Sequence, residues 1–152
     1  MKKIVWMLQV AVLYGFTWVV ALVPERLSER FGVWTGLLLR RVLGSRRRIA
    51  EENISRVLDY MRAQPEWTCT IPTAEGIARE VFCNLGRSLV ETCRLSHGKG
   101  GGLIDRIEVR GMEHYEAARA MGKGIIFLTG HCGNWELVAL AYARLFKTSM
   151  SV

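Results

Sequence analysis

Ile4 to Val23 is a run of twenty residues interrupted only by Gln9, Gly15 and Thr17, and it constrains the fold more than any other stretch. As a helix it measures about 30 Å, close to one bilayer crossing. Lys2 and Lys3 precede it, and Val19 with Ala21 offers a passable cleavage site. A secretory signal has a shorter apolar region than this. A membrane anchor over residues 1–23 is therefore the leading reading, with a cleaved signal and a buried helix as the rivals. Pro24 ends the segment, because proline cannot continue a helix it has not begun.

Charge is distributed to match. Of the 21 Lys and Arg, nine lie at or before Arg48, against only two of the 14 Asp and Glu, so the whole net charge of +7 sits beside the apolar segment. Such an arrangement suits an anionic membrane face and keeps the following domain cytoplasmic. No nucleic-acid-binding motif accompanies the arginines, so nucleic acid is not an expected partner. Cys69, Cys83, Cys93 and Cys132 form neither a CxxC pair nor a metal-ligand spacing, which fits a reducing compartment and calls for no metal.

Several helices are expected next. Leu27 to Leu43 mixes Phe31, Val33, Trp34, Leu37, Leu38 and Val42 with arginines, as suits a helix at the headgroup level or one packed on the domain. Ile49 to Ala63 repeats apolar residues at Ile54, Val57, Leu58 and Met61, and Gln64 to Pro72 reads as a loop. Thr73 is placed to cap a helix from Ala74 to about Leu95, with Ile77, Val81, Leu85 and Leu89 recurring every four residues. Ser96 to Gly102 reads as a flexible loop without the order of a phosphate-binding motif. Ile107 and Val109 suggest a short strand, and Met112 to Met121 a helix ended by Gly122.

The chemistry is concentrated in Lys123 to Phe146. Ile125 to Leu128, bounded by Gly124 and Gly130, reads as a buried strand, and Leu137 to Phe146 as a helix. Thr148 to Val152 reads as the start of a second, parallel strand, which would complete a βαβ unit. Between strand and helix lies Thr129-Gly130-His131-Cys132-Gly133-Asn134-Trp135-Glu136. On one continuous helix His131 and Glu136 would sit about 140° apart and could not face each other. If the chain turns between them, Glu136 can reach an imidazole N–H, fix the tautomer and leave the other nitrogen as a base. Cys132 adjoins that base, but neighbouring side chains in a tight turn diverge, which disfavours a thiol nucleophile. Asn134 is placed to cap the helix and Trp135 to pack or to meet lipid.

Gly130 to Glu136 resembles the histidine, four residues, acidic motif of the bacterial lipid A biosynthesis acyltransferases, the lauroyl and myristoyl type, within the lysophospholipid acyltransferase superfamily. Arg46 to Ile54 and Asn84 to Glu91 are similar to that family's segments in the same order. The resemblance covers essentially the whole chain and the amino-terminal half of a typical member. It implies an α/β fold in which residues 24–152 are the amino-terminal part of a single, truncated acyltransferase domain following the anchor. It also implies His131 as general base and Glu136 as its orienting acid, with Arg46, Arg47, Arg48, Asn134 and Trp135 as the candidate substrate-binding set. No cofactor is implied. An acyl-carrier-protein thioester is the implied donor and a phosphorylated, partly acylated glucosamine lipid the acceptor, at the cytoplasmic face of the inner membrane. Two other readings stay open: transfer to another acceptor such as a glycolipid or ornithine lipid, and a non-catalytic, membrane-anchored interaction protein.

Overall fold

The computed structural model describes residues 2–68, 70–71, 73–130 and 132–146. Among the described residues seven helices follow one another: α1 (Lys2–Ala21), α2 (Glu25–Val42), α3 (Gly44–Arg62), α4 (Ala74–Ser96), α5 (Gly101–Asp105), α6 (Met112–Ala120) and α7 (Glu136–Phe146). They fall into two compact units, residues 1–99 and 100–152.

The first unit is built on α4. Its N-terminus is fixed by the Thr73 hydroxyl, which accepts from the Gly76 N–H at 3.1 Å, as its position before an apolar repeat foretells. Ala78, Phe82, Cys83, Gly86, Val90 and Cys93 of α4 are buried, and α1, α2 and α3 all pack against this helix. The α2 crossing is the closest. A Cβ on Gly36 would collide with the backbone of Phe82, one on Gly86 with the Gly32 carbonyl, and one on Gly32 would come within 2.7 Å of the Arg87 Cα. Three glycines without side chains therefore set the spacing of the two helices, as small residues do wherever backbones approach closely. Burial in this packing pushes the Cys93 thiol above its ordinary range, because a thiolate there would lose its water.

α1 joins the unit by its C-terminal third. Val20 and Ala21 are buried, the Thr17 hydroxyl lies 3.0 Å from His97 Nε2, and Tyr14 meets the His97 ring edge-on at 4.9 Å. The buried Arg94 donates to the Val23 carbonyl and, at 3.0 Å, to that of Lys99. A cation there satisfies carbonyls left over past the end of a helix and complements its negative pole. Ile4 to Leu13, by contrast, leaves its large apolar side chains exposed. Lys3–Ala21 is one helix long and apolar enough to cross a membrane.

The second unit corrects the expected fold class. Among the described residues it contains helices and irregular segments but no strand, so the α/β fold with a βαβ unit is not what forms. Ile107 to Arg110 and Gly124 to Gly130 carry no regular secondary structure. The physical reason is pairing: a strand exists through hydrogen bonds to a neighbour, and no described segment supplies one. Nor is Ile125 to Leu128 buried as a run. Phe127 packs on Tyr115 and Tyr142, whereas Ile126 and Leu128 are 87% and 94% exposed. The second strand expected at Thr148 to Val152 lies outside the described residues.

Candidate active site

The motif lies between the irregular segment Gly124 to Gly130 and α7. Its backbone is closed by the Cys132 N–H donating to the Gly130 carbonyl at 2.9 Å, and Gly133 follows with φ of 60°, a left-handed conformation that favours glycine. The chain then enters the helix through two short-range bonds, Leu137 N–H to the Asn134 carbonyl at 3.1 Å and Val138 N–H to the Trp135 carbonyl at 3.0 Å. Asn134 thus acts in the helix start through its main chain. Trp135 is 37% exposed. Glu136 is the first residue of α7 and exposed, where the positive pole of the helix favours the carboxylate. Cys132 is a free, exposed thiol.

His131 lies outside the described residues. Asn134, Trp135 and Glu136 follow one another into the head of α7. Arg46, Arg47 and Arg48 belong to the first unit, on the opening turns of α3. There Arg47 and Arg48 pair along the helix with Glu51 and Glu52, each at 3.9 Å. Arg48 at 76% side-chain exposure stays in water, where such pairs contribute little. Arg40, a residue not singled out from sequence, is the structural cation of this region: it bridges Glu51 of α3 at 3.0 Å and Glu75 of α4 at 2.9 Å.

Sequence reasoning missed the cavity. A half-open cavity of about 520 Å³ is lined by Ile107, Val109, Met112, Ile125, Phe127 and Val138, with Tyr115, Ala141 and Tyr142 among the other lining residues. Most of its lining comes from residues 107–118, and the segments on either side of the turn add Ile125 and Phe127 before it and Val138, Ala141 and Tyr142 after it. Three rings form one wall: Tyr115 stacks on Phe127 at 6.2 Å, and Tyr142 meets Phe127 edge-on at 5.0 Å and Tyr115 at 6.0 Å. The Tyr142 hydroxyl donates to that of Tyr115 at 3.4 Å. That bond, with burial and the neighbouring phenol, raises the Tyr142 pKa above its usual value. Its size falls in the range of small-molecule sites, about 300–1,000 Å³, and its lining is mostly apolar as theirs is. The signal available beforehand was slight: Tyr142 is the one polar-tipped residue in a helix stretch otherwise made of Leu, Val and Ala up to Ala143. Among the described residues, no group of three or more His, Cys, Asp or Glu is placed to hold a metal ion.

A family model described as bacterial lipid A biosynthesis acyltransferase matches residues 2–148, a range that includes the apolar helix, the arginines of α3, all of α4 and the Gly130 to Glu136 turn. No curated protein and no solved structure matches the chain.

Proposed function

Since the chain belongs to the bacterial lipid A biosynthesis acyltransferase family, a family of membrane-associated enzymes that move an acyl group from a donor to a lipid acceptor, we propose that it transfers a fatty acyl chain from an acyl-carrier-protein thioester to a hydroxyl of a lipid A precursor. His131 is the general base. It takes the proton of the acceptor hydroxyl while Glu136 steadies the imidazolium, and the oxygen attacks the thioester carbonyl. Collapse of the tetrahedral intermediate expels the carrier thiolate, which recovers the proton from His131, leaving an ester and a free thiol. No acyl-enzyme is formed. General-base catalysis of this kind contributes about 10²–10⁴ in rate, with orientation and oxyanion contacts adding to it.

One observation supports this reading above the rest: the segments on either side of the motif turn, through Ile125 and Phe127 before it and Val138, Ala141 and Tyr142 after it, contribute to the lining of an apolar cavity of about 520 Å³. A fatty acyl chain is the part of either substrate that such a lining accommodates, since its burial is favourable by about 0.8 kcal/mol per methylene. Arg46, Arg47 and Arg48, with Asn134 and Trp135, are the proposed substrate contacts. Cations suit both the acidic carrier and a phosphorylated headgroup. The site of action is the cytoplasmic face of the inner membrane, with residues 1–23 as anchor and residues 24–152 in the catalytic domain.

The test is transfer of a labelled acyl group from acyl carrier protein by the chain reconstituted in vesicles, alone and with the carboxyl-terminal half of a family member. A tetraacylated lipid A precursor, an ornithine lipid and a neutral glycolipid serve as acceptors. Preferential labelling of the lipid A precursor is expected. Preference for another acceptor would replace the assigned substrate, and no labelling of any acceptor in either arm would favour a non-catalytic, membrane-anchored role.

A further inference from the structure

α2 has two faces of different chemistry, and only one of them is covered. At about 100° per residue, Gly32 and Gly36 lie on the side against α4, as do the only two acids of the helix, Glu25 and Glu29. Glu29 sits 4.0 Å from Arg87 of α4. On the far side, Leu27, Arg30, Leu38 and Arg41 all fall within about 40° of Trp34. Trp34 is 58% exposed, and Leu27, Leu38 and Val42 are exposed with it. Among the described residues Arg30 and Arg41 make no ion pair, although their neighbour Arg40 is held by two carboxylates. The outward face therefore combines a tryptophan, leucines and unpaired arginines, with no acid.

From this segregation we infer that the outward face of α2 is a second membrane contact, seated in the plane of an anionic bilayer surface. Leu27, Trp34 and Leu38 enter the headgroup boundary, and Arg30 and Arg41 meet lipid phosphates. Tryptophan prefers that depth because its ring is apolar and its N–H polar, and arginine extends its stem along apolar surface while its head stays at the phosphates. Continuity supports the same occupant: only Leu22, Val23 and Pro24 separate α2 from the apolar α1. The exposed stripe of Val81, Leu85 and Leu89 on α4 shows the contrast. Ser88 and Thr92 accompany it without a charge, so it lacks the cations that select an anionic surface. The inference concerns docking and is independent of the catalytic assignment.

A full-length variant retaining Trp34 alone (Trp6→Phe, Trp18→Phe, Trp67→Phe, Trp135→Phe) tests it. The protein is reconstituted in phosphatidylcholine vesicles with and without phosphatidylglycerol, and Trp34 is challenged with shallow brominated lipid and with aqueous iodide. The expected result is quenching by the lipid, protection from iodide, and dependence on phosphatidylglycerol. Arg30→Gln with Arg41→Gln should weaken docking on the order of 30-fold, each cation at such a surface contributing about 1 kcal/mol. Both positions are exposed, so an unchanged thermal melt is expected. Trp34 open to iodide and untouched by lipid would overturn the inference. So would protection from both quenchers, which would mean that a second copy or the remaining protein covers the face, and so would lipid quenching indifferent to headgroup charge and to the arginines.

Discussion

Replacing Gly86 by alanine probes the contact that defines the first unit. The added Cβ would overlap the Gly32 carbonyl and the Gly36 backbone nitrogen and would stand 2.7 Å from the Gly36 Cα. All three obstacles are main chain, so no rotamer change relieves them. Ordinary contact begins at 3.4 Å, and reaching it requires α2 and α4 to part by about 1 Å, loosening close-packed neighbours such as Phe82 and Cys83 as well. Overpacking costs about 1–3 kcal/mol, and the rigid partners here argue for the upper end. Alanine regains about 1 kcal/mol of helix propensity. The net loss is about 2 kcal/mol, roughly 30-fold in the folding equilibrium and on the order of 10 °C in Tm for a unit of this size. Far-ultraviolet circular dichroism melts of the full chain in detergent provide the assay. Gly15→Ala, where nothing lies within 4 Å of the new Cβ, is the control that reports propensity alone. A Gly86→Ala melt equal to or above that of Gly15→Ala would refute the close crossing.

Arg94→Met should destabilise the first unit by about 1.5–3 kcal/mol, the range for hydrogen bonds to charged groups, and should free the α1 terminus; proteolysis near Val23 and a denaturant melt check both effects. In a Cys69→Ser background, maleimide should label Cys132 within the mixing time and Cys83 and Cys93 only on unfolding. Because the raised Cys93 pKa keeps the thiol protonated in the folded state, its labelling should rise with pH only above the range where an exposed thiol reacts. That raised pKa also means the thiol's contribution to stability is present below the unfolded pKa and is lost as pH climbs through the folded one. Ala141→Leu places bulk in the cavity wall, where Ala141 is 4% exposed; competition between long and short acyl donors should shift at least several-fold toward the shorter, and an unchanged preference would remove the cavity from acyl binding.

Helices were legible wherever period and punctuation agreed. Thr73 before the repeat of α4, Pro24 between α1 and α2, and Gly122 after α6 each mark a boundary that the structure keeps within a few residues, because capping and breaking are local effects. What packs against what was not legible. Gly32, Gly36 and Gly86 are unremarkable singly, and their meaning arises only when α2 crosses α4. Of the two earlier readings of α2, the packed helix describes the face that Gly32 and Gly36 present to α4. Ile125 to Leu128 was misread for the converse reason: an apolar run rich in β-branched and aromatic residues is a property of the segment, but a strand is a property of a pair. The cavity went unseen because Tyr115, Phe127 and Tyr142 are far apart in sequence and no short-range spacing links them.

The proposed transfer requires the His131 imidazole as its base. Measuring initial rates of acyl transfer for His131→Ala beside the unaltered sequence, both in a form completed by the carboxyl-terminal half of a relative and shown to melt alike, tests it most directly. A fall of about 10²–10⁴ is predicted, the contribution of a general base, and activity within a few-fold of the unaltered protein would contradict it.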